Sequence, residues 1–134
     1  MTTERLDIIS RDDIVRLVDT FYGHVRADDI LGPIFDEVAR VDWAGHLPKM
    51  YAFWDAVLFG TAGFKGNPLA AHLQLAQLTP LGVREFGRWI ELFHGTVDAL
   101  FSGPMAEEAK ARASRIAIVM QHHIIANRGL SALA

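Results

Sequence analysis

Apolar residues recur along this chain at spacings of three and four, and the recurrences are broken by proline and glycine. Ile14, Leu17, Val18, Phe21, Tyr22 and Val25 make one face of an amphipathic helix. Ser10, with Asp13 three residues on, has the spacing of a capping box at its start, and Asp28-Asp29 marks its end. A short helical segment is predicted over 33–38, with Pro33 suited to its first turn. From about Asp42 to Phe59 two stripes lie side by side. Trp43, Leu47, Met50, Trp54, Val57 and Leu58 form one; His46, Met50, Phe53 and Val57 form the other. A helix this apolar is buried on more than one side. Pro48 lies early in it, so the helix begins near His46 or bends there, and Gly60 supplies a stop.

Residues 60–67 read as a flexible loop. Asn67-Pro68 then pairs an N-cap with a proline at the first helical position. The helix it opens is short; Leu69, His72 and Leu73 share a face, and the run fades by Ala76. Thr79-Pro80 repeats the cap-plus-proline signal. Phe86, Trp89, Ile90, Phe93, Val97, Leu100 and Phe101 follow at helical spacing, the strongest stripe in the chain. Ser102-Gly103-Pro104 turns the chain into a last helix from about Met105 to Asn127. Its stripe is Ala109, Ala113, Ile116, Ala117, Met120 and Ile124, and Asn127-Arg128-Gly129 is expected to end it. No alternating run argues for a strand, so the fold class is all-α. Four longer helices and two short ones can pack as a bundle or as a globin-like sandwich.

The 134 residues fit one domain, 1–134, with 1–9 expected as a mobile N-terminal extension and 128–134 as a mobile tail. A core at this length buries about 65–70% of the unfolded chain's surface. Cysteine is absent, which excludes disulfides, thiolate nucleophiles, iron–sulfur clusters and cysteine-based zinc sites. The net charge is −3 and no basic block occurs, so no nucleic-acid partner is expected. The first seven residues carry both charge signs and no apolar core, unlike a signal peptide. No stretch approaches the ~18 apolar residues of a membrane span, so no membrane insertion is expected and the cytoplasm follows by elimination. The apolar share, 51%, with eight Phe and three Trp, is rich for so short a chain. Either the core is large or something apolar sits inside it.

Six histidines are present. His122 and His123 are adjacent and do not share a helix face. His24 neighbours a charged helix end, and His94 borders its stripe without lying at its centre. For these four a solvated or satisfied side chain is the expectation. His72 sits inside an apolar face, between Leu69 and Leu73. A buried imidazole needs partners for two nitrogens: one can bond the Pro68 or Leu69 carbonyl a turn back, and the other is then free for a metal. From the pattern alone a lone core histidine is the commoner case. No second ligand accompanies His72 at metal-binding spacing, so if it binds a metal, haem is the economical one, because the porphyrin supplies the other four nitrogens. Tyr22 and Trp89 each place a polar group on a buried stripe; either alone reads as an ordinary core aromatic.

Four segments together resemble the truncated haemoglobin family, and within it the third group. They are Phe21-Tyr22 with Leu31-Gly32-Pro33-Ile34-Phe35; His46-Leu47-Pro48-Lys49-Met50-Tyr51-Ala52-Phe53-Trp54; Asn67-Pro68-Leu69-Ala70-Ala71-His72-Leu73; and Phe86-Gly87-Arg88-Trp89-Ile90-Glu91-Leu92-Phe93. The resemblance spans about residues 10 to 125 and implies a two-over-two helical sandwich enclosing one haem b (iron protoporphyrin IX). It implies that His72 is the proximal iron ligand, and that Tyr22 and Trp89 donate hydrogen bonds to the gas ligand. His46 resembles the distal histidine, which the family uses as a gate, and Phe35 the phenylalanine packed on the ring. Met50, Phe53 and Phe86 would line the cofactor pocket, and Lys49 would pair with a haem propionate or stand simply solvated. The gas ligand would be O2, NO or CO.

Three functions stay open on this reading. One is haem-dependent oxygen chemistry, such as nitric oxide dioxygenation or a peroxidase-like activity, with Tyr22, Trp89 and His46 as the acting residues. The second is a sensor or ligand-binding globin that turns nothing over. The third is a helical interaction module without cofactor. No G-x-G-x-x-G occurs, so a catalytic role needs a separate reductase.

Overall fold

A computed structural model describes residues 4–64 and 66–133, with side chains described as far as Ala126. Among the described residues there are five α-helices and one π-helical turn: α1 Arg11–Ala27, the turn Ile34–Val38, α2 Trp43–Phe59, α3 Pro68–Ala76, α4 Val83–Leu100 and α5 Pro104–Leu133. Among the described residues there is no strand, and no helix is long and apolar enough to cross a membrane.

α1 begins where the chain signals it. The Ser10 hydroxyl accepts from the Asp13 N–H, while the Asp13 carboxylate reaches back to the Ile9 N–H, one residue before the capping-box partner. The predicted stripe of α1 is buried throughout, from Ile14 to Val25. α2 starts at Trp43 and keeps Pro48 inside it. Ala44, whose carbonyl loses its helical donor there, is exposed, so water can take that bond. Gly60 closes α2 at φ 71°, a left-handed cap that favours glycine.

Three boundaries differ from the sequence pattern. Thr79-Pro80 does not open α4. The Thr79 N–H is still bonded to Leu75 O, completing the end of α3, and α4 begins after Gly82. The true start signal is Glu85, whose carboxylate accepts from the Gly82 N–H at 2.8 Å. The segment after Pro33 winds as a π-helix rather than an α-turn. Gly129 does not end α5, which runs to Leu133: a helix-interior glycine costs only about 1 kcal/mol against alanine, too little to stop a helix by itself.

α1 packs on α2 and on α4, α4 packs on α5, and α5 also receives α3 and the side of α2. The helices thus form two layered pairs, as the sandwich expectation requires. Phe93 is the centre: fully buried, stacked on Trp54 at 4.8 Å and Trp89 at 5.6 Å, with Phe21 edge-on at 5.1 Å. These contacts join α1, α2 and α4, and aromatic pairs of this kind add about 0.5–1.5 kcal/mol beyond the area they bury. On α5 the buried stripe is largely alanine (Ala106, Ala109, Ala113, Ala117), which lets the backbone come close to α4. Asp28, at the end of α1, accepts from the Ile30 and Leu31 N–H groups and from Arg88 Nε of α4 at 2.7 Å. Burial raises its carboxyl pKa, but these donors outweigh that and hold it below the usual range.

Within the segment 1–9, Met1–Thr3 lie outside the described residues, as does Ala134 of the expected tail. Ile8 is buried, and Asp7 accepts from the Met105 and Ala106 N–H groups at 2.9 and 2.8 Å. A carboxylate from the far end of the chain thus caps α5, where Gly103 has no side chain to do so. Gly103 holds φ at 146°, and a Cβ there would lie 2.5 Å from the Asp7 carboxyl carbon. Partial burial pushes Asp7 up, and the N–H bonds from Met105, Ile8 and Ala106 together override it and lower its pKa. Asp7→Ala is expected to cost about 1–2 kcal/mol at pH 7, read from urea unfolding. With the folded pKa below the unfolded value of about 3.9, that contribution is complete above the unfolded value and is lost as pH falls through the folded one. The difference between the two proteins therefore closes in acid; an equal difference at pH 7 and pH 3 would count against the carboxylate cap.

Candidate haem cavity

The two layers do not close completely. Between them lies a cavity of about 330 Å³, walled by α1, the π-turn, all four later helices and the loop after α2. Every site residue singled out in the sequence lines it: Tyr22, Phe35, His46, Lys49, Met50, Phe53, His72, Phe86 and Trp89.

α3 presents His72. Asn67 Oδ1 accepts from the Ala70 N–H at 3.0 Å and Pro68 fills the first helical position, so this nine-residue helix is capped as predicted. His72 is half-buried, and its Nδ1 lies 2.6 Å from Pro68 O. A carbonyl oxygen only accepts, so Nδ1 carries the proton and Nε2 is left with a lone pair. Phe86 flanks the imidazole, with ring centroids 6.5 Å apart.

α1 and α2 present the other polar groups. Tyr22 is buried, its hydroxyl makes no hydrogen bond among the described residues, and burial pushes its pKa well up, so it stays a neutral donor. His46 Nε2 is buried in the cavity with no partner among the described residues. Burial, with the charge of Lys49 and, once it is protonated in acid, that of His72 adding to it, lowers the His46 pKa, so its ring is neutral at pH 7. The two rings meet edge-on, 5.3 Å apart. Trp89 is partly buried and stacked on Phe93, and Lys49 is exposed at the rim.

The other histidines behave as ordinary ones. His24, His122 and His123 are exposed, and His94 is satisfied by Lys110 O and the Ser114 hydroxyl at 3.1 and 3.0 Å. Among the described residues no three His, Asp or Glu side chains gather to hold a bare metal. The cavity instead suits a metal that brings its own ligands. It has one imidazole nitrogen free to bind, apolar and aromatic walls, a cation at the rim and a buried, unpartnered imidazole nitrogen.

No family model matches the chain. It is 31% identical over 121 residues to a group 3 truncated hemoglobin of Campylobacter jejuni, covering 88% of this chain and 93% of that one. The chain belongs to the group 3 truncated haemoglobins. The crystal structure of the group III truncated hemoglobin from Campylobacter jejuni matches it with a TM-score of 0.78 over 90% of this chain and 95% of that one, at 31% identity. Membership makes this a globin that binds haem and a gas ligand, and the cavity residues fit that group.

Part of this truncated haemoglobin's cavity escaped the sequence reading. Phe64, in the loop after α2, lines it and meets Phe53 edge-on at 5.2 Å. A single aromatic in a glycine-rich loop has no periodicity to betray it. Ile116 and Met120 lie on the predicted stripe of α5 but face the cavity, and Leu75 joins them from α3. Trp43 was legible only as an apolar position; its ring stands 5.4 Å from Tyr22 and 5.5 Å from His46.

No residue of α3 is fully buried, so little besides its cap defends the helix. Asn67→Ala should cost about 1 kcal/mol, felt locally. Amide exchange over 68–76 should then quicken about five-fold while α1 and α4 stay unchanged. Uniform acceleration across the chain would show that α3 is not an independent unit.

Proposed function

We propose that this truncated haemoglobin would hold haem b through His72 Nε2 and would receive oxygen or nitric oxide among Tyr22, His46 and Trp89. The single observation that carries this reading is the commitment of His72 Nδ1 to Pro68 O, which leaves one basic nitrogen at the wall of an apolar cavity. A carbonyl partner of this kind also fixes the ring's orientation and raises its basicity toward a metal. Lys49, exposed at the rim, would pair with a propionate. Haem iron, when bound, supplies an open coordination position and the change of oxidation state that oxygen and nitric oxide chemistry needs.

The protein's own part is to offer donors in a dry site. The Tyr22 hydroxyl and the Trp89 N–H would donate toward the gas ligand. Neutral His46 brings a third polar group that has no partner of its own. Each such bond is worth about 1–3 kcal/mol, and every 1.4 kcal/mol slows ligand escape about ten-fold. Slow release suits chemistry on oxygen better than carriage of it, which favours nitric oxide dioxygenation or a peroxidase-like reaction. Converting NO and O2 to nitrate consumes one electron per turnover, and a separate reductase would supply it.

His72→Gly should lose the axial-nitrogen signature and shift the Soret band, and free imidazole should restore both; an unaltered spectrum overturns the assignment. Tyr22→Phe and Trp89→Phe should each speed oxygen dissociation, by roughly five-fold or more. Unchanged rates in both would remove the donors. Counting nitrate formed per haem, with NO, O2 and a reductant present, separates turnover from a sensor, which stops at one equivalent.

A further inference from the structure

His46 occupies an awkward place. Its Nε2 is buried with no partner among the described residues, and a buried imidazole nitrogen without a hydrogen bond is costly. Turned outward, that nitrogen would reach water. Something other than polar bonding therefore keeps the ring inside.

Two aromatic rings bound it. Tyr22 and Trp43 both stand edge-on to the imidazole, at 5.3 and 5.5 Å. Tyr22 lines the haem cavity, but Trp43 does not. Trp43 lines, with Tyr22 and Arg26, a separate groove of about 260 Å³ between α1 and α2. Trp43 is thus interposed between His46 and a space large enough to take an imidazole.

Trp43 is itself clamped from two other elements. Its Nε1 donates to Asp36 Oδ1 of the π-turn at 2.8 Å. The Arg26 guanidinium of α1 lies 4.8 Å from the indole ring centre, and its Nε is 3.5 Å from the same Asp36 oxygen. Phe35 stacks on the indole at 5.8 Å with planes 25° apart. One indole therefore gathers α1, the π-turn and the first turn of α2, three residues before His46.

We propose that Trp43, held by Arg26 and Asp36, is a positioning residue that keeps the His46 imidazole on the haem side, and that this clamp sets how readily the gas ligand enters. The proposal rests on the haem reading above. Loosening the clamp lets His46 turn into the groove, where its nitrogen is hydrated. The fraction of molecules with a clear cavity rises, and the observed association rate rises in proportion to that fraction.

The test is carbon monoxide association to the haem-loaded ferrous protein after flash photolysis. Trp43→Ala should raise the rate about five-fold, and His46→Ala at least as much. Because Trp43 acts through His46, the double variant should be no faster than His46→Ala alone. Arg26→Gln and Asp36→Asn change partly exposed side chains that do not line the haem cavity. They should each give a smaller rise that also disappears in the His46→Ala background, and they keep the cycle usable if Trp43→Ala fails to fold. Normal Soret spectra with multiplicative effects of Trp43 and His46, or with rates unmoved by all three clamp variants, overturn the clamp alone. A wild-type protein that takes up no haem overturns the haem reading and the clamp with it.

Discussion

An imidazole ring has two nitrogens, and most of this molecule is arranged around what happens to them in two places. In His72 one nitrogen is spent on the Pro68 carbonyl and the other faces an apolar cavity. The spent nitrogen matters as much as the free one. It fixes the tautomer, stops the ring from rotating, and ties the side chain to the first turn of its own helix. That turn depends in turn on Asn67, which caps it, and on Pro68, whose fixed φ suits the first helical position. A nine-residue helix is too short to be stable by itself, so it must lean on α5. The placement of His72 at the cavity wall is therefore supported by a cap, a proline and an alanine-faced neighbour.

In His46 the opposite holds. One nitrogen is buried without a partner among the described residues, close to the Tyr22 ring, whose hydroxyl is also free there. The buried, unpartnered nitrogen beside that hydroxyl is a standing cost in a ligand-free chain, and low dielectric enlarges it. The same low dielectric strengthens whatever bond they make to a guest. The cavity is thus unfavourable when empty and selective when filled by a ligand that accepts hydrogen bonds.

The helices were legible because burial imposes a period of 3.6 on the sequence. The stripes of α1 and α4, and the alanine face of α5, are found where the spacing puts them. The cap of α3 was legible for the same local reason. Boundaries set from a distance were not. Glu85 starts α4 by reaching back to Gly82, and Thr79-Pro80 is left to finish α3. Asp7 caps α5 across nearly the whole length of the chain, and no local rule joins residue 7 to residue 105. The cavity was legible through its four helical motifs, which a family resemblance could order. Phe64 was not, since one aromatic in a loop carries neither period nor motif.

The residues that hold the two sides of the cavity in register are of this non-local kind. Asp28 and Arg88 are 60 positions apart, yet a 2.7 Å bond between them joins the end of α1, which carries Tyr22, to the turn of α4 just before Trp89. Arg26 and Asp36 do the same at the start of α2, through Trp43. Neither group lines the haem cavity. Both act on residues that do. The donors of a gas-binding site must stay fixed to a fraction of an ångström to be useful, and a single helix cannot supply that across a cavity. Charged pairs and clamped aromatics spanning two or three helices can. It follows that relatives sharing the cavity residues need not share these outer contacts, and ligand kinetics can then differ between proteins whose haem-facing side chains are the same.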